Sequence, residues 1–405
     1  MSMKIPLASS GLRDCDIEIA IEVLKSGNLT MGKYVKEFES AMAKYLKVKD
    51  FIMVNSGSSA NLVMLEALLR PTQVQPSLHP GDSVLVPAVA WPTTIWPVIQ
   101  LGLNPIFVDI DPITLALDLK AAQNLIDTSG INIRAIFPIH PLGYCIPNMD
   151  LEAFVLKNKL ILINDTCESL GSWENSTHAG TTGIAGSFSF YFSHHITTME
   201  GGGVATNDLD YADDLRSMRS HGWSRERRDA AKWSKEKSTN DSKFLFVSTG
   251  FNIRPMEIQA AIGLSQIKEI DKFVSRRRHI AKSIYNSLNG TDLTVIGSET
   301  LTRPDLEKSH SWMLVPILVN GSKASERKSK IISNLNKMGV ETRPVLTGNF
   351  LAQPAIQRIT KHNMNPKDFE NASYIENSAF LVGAHHDLND DQIEYLCESL
   401  KSSNS

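Results

Sequence analysis

The chain has 405 residues, of which 42% are hydrophobic and 21% charged, and 41 Lys and Arg against 44 Asp and Glu leave a formal net charge of −3. This length exceeds one small core, so two domains are expected, and so balanced a charge gives no global reason to expect nucleic acid. Four scattered cysteines, Cys15, Cys145, Cys167 and Cys397, include no CxxC pair, so neither a zinc site nor a disulfide scaffold is expected, and a reducing cytoplasm is. Met1 to Asp16 has no apolar signal-peptide core. The most apolar window, 84–103, holds Pro87, Pro92 and Pro97, which excludes a single membrane-spanning helix.

Taken in order, apolar spacing predicts helices over 14–26 and 34–45 and a short buried strand over 51–54. Asn55-Ser56-Gly57-Ser58-Ser59-Ala60-Asn61 follows, then an apolar helix to Leu69. Strand, Gly/Ser turn and helix is a geometry that holds an anion on free backbone N–H groups, although a Ser N-cap alone gives the same pattern. The next strand, 82–87, runs into Val89-Ala90-Trp91-Pro92, where Trp91 presents a flat face that serves either a planar ring or the core. Strands at 104–108, 133–139 and 160–163 alternate with helices at 119–126 and 151–157. This alternation argues for βαβ units and a mostly parallel sheet, with ligands at the carboxyl ends of its strands. The strand at Leu160 ends in Asn164-Asp165-Thr166-Cys167-Glu168, where Asp165 is either a turn former or an anion placed for a ligand.

The stretch that organises the rest is 186–203. Ser187-Phe188-Ser189-Phe190 alternates at period two, and a strand is expected over 187–192. His194-His195 follows, and the Gly201-Gly202-Gly203 run permits positive φ. Adjacent strand residues face opposite ways, so only one of the two histidines can enter a pocket. A helix is expected over 207–220. Trp223 to Lys243 carries seven Lys and Arg against four Asp and Glu, which reads as a solvated loop or as a lid for phosphate. Gly250-Phe251-Asn252-Ile253-Arg254-Pro255 enters a long helix, 256–288, and strands over 312–319 and 341–344 with helices over 324–337 and 390–399 complete the chain.

Ser-Phe-Ser-Phe, a spacer, one base and Glu200-Gly201-Gly202 resemble the signature of the nucleotide-sugar aminotransferases. That family binds pyridoxal phosphate (PLP) in the fold type I, aspartate aminotransferase-like α/β architecture. The resemblance implies a large domain with a mostly parallel sheet and a smaller α+β C-terminal domain. The expected boundaries are 1–30 for an N-terminal arm, 31–265 for the large domain and 266–405 for the small one. In the family a lysine holds the cofactor covalently; counting back from Glu200-Gly201-Gly202 puts His194 at the matching position. Histidine there is similar to the sugar 3-dehydratase branch, and overall similarity favours a GDP-linked sugar over CDP- or dTDP-linked ones. Imidazole moves protons but forms no stable imine, so the resemblance implies the amine form, pyridoxamine phosphate (PMP), held non-covalently, with L-glutamate restoring it. The product expected is a 4-keto-3,6-dideoxy sugar.

The same resemblance implies Gly57, Ser58, Ser59, Trp91, Asp165, Glu168 and Ser189 around the cofactor. Asp165 lies opposite the pyridine nitrogen, and Asn252 serves a neighbouring subunit's phosphate, hence a homodimer with shared sites. His221, Arg225 and Arg343 are the substrate-side candidates. A CDP-sugar relative adds an iron–sulfur cluster needing four thiolates. This chain has no cysteine between Cys167 and Cys397, so no cluster, metal or reductase partner is expected. Two other readings stay open: a true aminotransferase using another lysine, and an inactive cofactor-binding protein.

Overall fold

Short strands such as Ser83–Pro87, apolar after its first residue, and Ala185–Ser189, made of small residues around one Phe, are buried along their whole length, as strands covered on both faces must be. The structure, a computed structural model, describes residues 3–72, 76–236, 244–359 and 365–403. Its strands are β1 (Asp50–Val54), β2 (Ser83–Pro87), β3 (Asn104–Val108), β4 (Ile133–Ile136), β5 (Ile161–Asp165), β6 (Trp173–Glu174), β7 (Thr177–His178), β8 (Ala185–Ser189), β9 (Gly202–Thr206), β10 (Leu293–Val295), β11 (Leu314–Val319), β12 (Thr342–Arg343) and β13 (Ala379–Gly383). Seven form one sheet in the order β1-β9-β8-β5-β4-β2-β3. Only β9 runs against its neighbours, pairing antiparallel with both β1 and β8, while the other pairings are parallel. The expected α/β class and mostly parallel sheet are thus observed.

A second, antiparallel sheet has the order β10-β11-β13-β12. Ile5 bridges to Val340 beside it and packs into its core with Phe380 and Val382. The long helix is two segments, Glu257–Gln266 and Ile270–Ser287, joined by a 3-10 turn over Ile267–Glu269. No helix among the described residues is long and apolar enough to cross a membrane.

Two expectations need correction at the organising stretch. The strand ends at Ser189, not Phe192; Phe190 onward is a loop closed by Phe190 N–H to the Gly201 carbonyl (2.9 Å) and Thr198 N–H to the Phe190 carbonyl (2.9 Å). The glycine run is not needed for positive φ, which falls on Met199 (φ 68) instead. Its glycines allow close approach: a Cβ on Gly202 would lie 2.4 Å from the Ser56 carbonyl carbon, and one on Gly203 2.3 Å from Phe51 Cζ.

The basic segment after Trp223 is engaged by carboxylates in part, while Arg225, Lys232 and Lys235 are exposed. Arg227 is buried against Asp214 (2.8 Å) and Asp229 (2.6 Å), and Ala230–Glu236 is helical. Residues 237–243 lie outside the described residues.

Candidate active site

The carboxyl ends of β1, β2, β4, β5 and β8 converge on a cavity of about 590 Å³. Ser56, Gly57 and Ser58 reach it from β1, and Trp91, Thr93 and Thr94 from β2. Ile139 follows β4; Asp165, Cys167 and Glu168 end β5; Ser189 and Tyr191 to His194 extend β8. The second sheet closes the far side with Met313, Glu341, Arg343 and Leu346, and the N-terminal segment adds Leu7 and Ala8.

Ser56 caps the helix Gly57–Leu69, its Oγ accepting from Ser59 N–H at 3.1 Å. That bond engages Ser59, which does not line the cavity, and leaves Gly57 and Ser58 as the helix N-terminus facing it. Such a terminus favours an anion through its N–H groups and dipole. A Cβ on Gly57 would sit 2.6 Å from Ser189 Cβ, so glycine is what lets the serines of two strand ends meet. Trp91 immediately precedes the next helix, ahead of Pro92, and is 45% exposed, with the Arg343 guanidinium 5.5 Å from its ring centroid.

Asp165 is 4% exposed and accepts three hydrogen bonds. Asn61 Nδ2 and Thr94 Oγ1 each donate to Oδ2 at 2.7 Å, and Cys167 N–H donates to Oδ1 at 3.1 Å. Every donor is a neutral dipole. Glu168 accepts from Leu142 N–H at 2.8 Å; burial nonetheless pushes its carboxyl up to about 7, the Asp165 charge adding to the rise and Arg343 opposing it.

The two histidines separate as expected, but through the turn they occupy and not through strand alternation. His194 is half-buried and lines the cavity. Its Nδ1 donates to the Cys167 carbonyl at 2.7 Å, so in the neutral ring Nε2 carries the lone pair. Burial pulls its pKa down to about 4; the Cys167 carbonyl works against this and Arg277 with it. His195 is 1% exposed and bonds to the Ser311 carbonyl at 3.2 Å, away from the cavity.

His221, Arg225 and Asn252 are exposed and do not line this cavity. Arg225 lies over the Trp223 ring (5.2 Å) beside a separate groove that also includes Arg254, and Asn252 Oδ1 accepts from Arg254 Nε at 3.1 Å. Sequence reading missed Asn61 and Thr94, which hold Asp165, and the contribution of Leu7 and Glu341. Asn61 does lie in the Gly/Ser turn, but its partner is 104 residues away, and no local pattern announces such a pair. No described residue lining the cavity is a lysine.

The arrangement offers an anion site at a helix N-terminus, a planar face, a buried carboxylate, a neutral imidazole and a guanidinium. Together they suit an anionic ligand with a cationic ring and a proton moved at neutral pH.

Comparison with known proteins agrees. The chain is 36% identical to GDP-4-keto-6-deoxy-D-mannose 3-dehydratase of Escherichia coli O55:H7, over 98% of this chain and 99% of the relative. It is 35% identical to a protein of that name from Yersinia pseudotuberculosis, over 98% of both chains. The solved structure of the Escherichia coli dehydratase with bound hydrated PLP superposes with a TM-score of 0.87 at 35% identity, over 99% of this chain and all of that one. A structure of GDP-4-keto-6-deoxymannose-3-dehydratase holding a trapped PLP-glutamate geminal diamine gives the same TM-score and identity over 98% of this chain and all of that one. The model of the DegT/DnrJ/EryC1/StrS aminotransferase family matches residues 12–401, and the chain belongs to that family.

Proposed function

We propose that this protein is a PMP-dependent 3-dehydratase. It removes the C3 hydroxyl of GDP-4-keto-6-deoxy-D-mannose, and L-glutamate restores the cofactor amine. The observation that carries the reading is His194: a neutral imidazole in the cavity, oriented by the Cys167 carbonyl, where the aminotransferases have a lysine. The aminotransferase alternative would need a lysine there, and none of the described cavity residues is one.

The residues fit the cofactor. Gly57 and Ser58 at the helix N-terminus, with Ser189, would hold its phosphate; Trp91 would cover the ring; Asp165 would face the ring nitrogen, its carboxylate held by neutral donors and paired with no cation among the described residues. When bound, the cofactor would supply the amine that engages the sugar ketone and the two electrons that replace the C3–O bond, and would be left as PLP with its nitrogen released as ammonia. Nε2 of His194 takes up the proton whose loss lets the C3–O bond break. The imidazolium so formed returns a proton to the departing hydroxyl, which leaves as water. A depressed pKa suits the first step by keeping the ring unprotonated at pH 7. Arg343, beside Trp91, is assigned to the carboxylate of the incoming glutamate.

We further assign the arm to residues 1–30, the large domain to 31–265 and the small domain to 266–405. The active unit is read as a homodimer in which His221, Arg225 and Asn252 serve the neighbouring copy's cavity. Their exposure supports this, as do the exposed apolar side chains of Leu24, Leu29, Phe246 and Met256. A sugar-nucleotide substrate and four free thiols fit a cytoplasmic setting.

The test is incubation with GDP-4-keto-6-deoxymannose, PLP and glutamate, with CDP- and dTDP-linked 4-keto sugars alongside. Formation of 2-ketoglutarate and a 3-deoxygenated GDP-sugar is expected; neither product with any of the three sugars would end the reading.

A further inference from the structure

We infer that Arg277 is the positioning residue of His194: from the helix Ile270–Ser287 it ties the backbone of that histidine to the small sheet and so fixes where its imidazole stands. The inference rests on the reading of His194 as the base.

Arg277 is 1% exposed. Its Nη2 donates to the His194 carbonyl at 3.1 Å, and its Nη1 to the Met313 carbonyl at 2.8 Å and, more weakly, to the Ala384 carbonyl at 3.4 Å. These acceptors come from segments far apart in the chain. His194 lies on the loop after β8, Met313 immediately precedes β11 and itself lines the cavity, and Ala384 immediately follows β13. One planar guanidinium thus joins the loop that carries the base to two neighbouring strands of the other sheet.

Packing alone does not account for the residue. Among the described residues no carboxylate reaches Arg277 within ion-pair distance, and its Nε has no partner. Among the described residues the two other buried arginines are each neutralised twice, Arg219 by Glu39 and Glu226 and Arg227 by Asp214 and Asp229. Asp387 acts on Arg277 only from beyond ion-pair distance; burying a cation without a contacting counter-ion is costly, and an apolar side chain of similar volume would be favoured if shape were all that mattered.

The retained charge has a second effect. The groups acting on His194 are the Cys167 carbonyl and Asp165 from the end of β5, Arg343 from β12, its neighbour His195, and Arg277. Burial lowers the His194 pKa most; Arg277 and Arg343 lower it further, and Asp165 opposes them. Removing the Arg277 charge therefore favours the imidazolium and raises that pKa.

The experiment compares Arg277→Met and Arg277→Lys with wild type. Two readouts are used: steady-state kinetics across pH, and NMR titration of ring-labelled histidine in cofactor-free protein. Arg277→Met is expected to lose about 10- to 100-fold in kcat, with KM for the nucleotide sugar within about threefold. Its His194 titration and the acid limb of kcat/KM should both rise by about one pH unit. Arg277→Lys keeps the charge, so its titration should match wild type. A single ammonium cannot span three carbonyls, so its kcat should still fall about tenfold. Wild-type kcat in a folded Arg277→Lys protein, or an unmoved His194 titration in Arg277→Met, would overturn the inference; the lysine variant decides alone if the methionine variant does not fold. A wild-type protein that dehydrates nothing while its His194 titration follows these shifts would reject the dehydratase reading and leave the link intact.

Discussion

Two regions of this molecule bury charge, and they do it in opposite ways. Around Arg219 and Arg227, each guanidinium lies against two carboxylates, at 2.6–2.9 Å for Glu39 and Glu226 and 2.6–2.8 Å for Asp229 and Asp214. In the cavity, the Asp165 carboxylate is held only by an amide, a hydroxyl and a backbone N–H, beside the neutral imidazole of His194 on a backbone carbonyl. Paired charges cancel and hold the segment after the helix Leu209–Met218 in place. Charges held by neutral dipoles keep their field, and that field is available to a ligand.

The sharpest way to break this contrast is to remove a group from each region. His194→Asn should cost about 10²–10⁴-fold in kcat with the melting temperature nearly unchanged. Arg227→Met should do the reverse: about 3–5 kcal/mol of stability lost in chemical denaturation, because the buried Asp214 loses that cation, and near-normal kcat in the folded fraction. If Arg227→Met abolished turnover in folded protein, the division into structural and chemical charge would be wrong.

The next effect is on pH. Burial holds His140, His194 and His386 down to about 4 and His178 down to about 3. Groups with depressed folded pKa values stabilise fully above their ordinary value near 6.5 and lose that contribution as the pH falls toward 4, since the unfolded chain binds the extra protons. The four shifts together amount to on the order of 10 kcal/mol lost over that window, measurable by urea unfolding between pH 7 and 4. A flat profile would contradict the burial of these rings as neutral groups.

Smaller effects sharpen the picture inside the cavity. Thr94→Val removes one of three donors to Asp165 and should weaken PLP binding by about 1 kcal/mol, roughly fivefold, read by absorbance titration. Glu168 titrates in the opposite sense to the histidines. Its folded pKa is raised to about 7, so its contribution is full below about 4.5 and is lost as the pH rises through 7. Glu168→Gln should therefore raise stability by about 1 kcal/mol at pH 8, allowing for partial exposure, and change little at pH 4.

Much of this was legible in the sequence, for physical reasons. The strand over 104–108 and the helix over 324–337 agree with the structure to the residue, because buried strands read as short apolar runs and the helix as an amphipathic stripe. Strand-end residues such as Asp165 were legible because turns follow strands. The strand at 187–192 was overextended because Phe190 is as apolar as a strand residue, yet it packs under a loop. The strand Ala379–Gly383, central in the small sheet, was missed: it is short and lies beside a helix with no turn signal between. Arg277 stands in the run Arg276-Arg277-Arg278, which looks like a solvated face. Only the fold shows that the middle arginine points into the protein.

The account stands on an imidazole that moves protons without binding the cofactor. The direct measurement is borohydride reduction of the PLP-loaded protein, followed by denaturation and intact-mass spectrometry. The account predicts a chain of unmodified mass with all cofactor released, whereas a pyridoxyl adduct mapped to any lysine would contradict it.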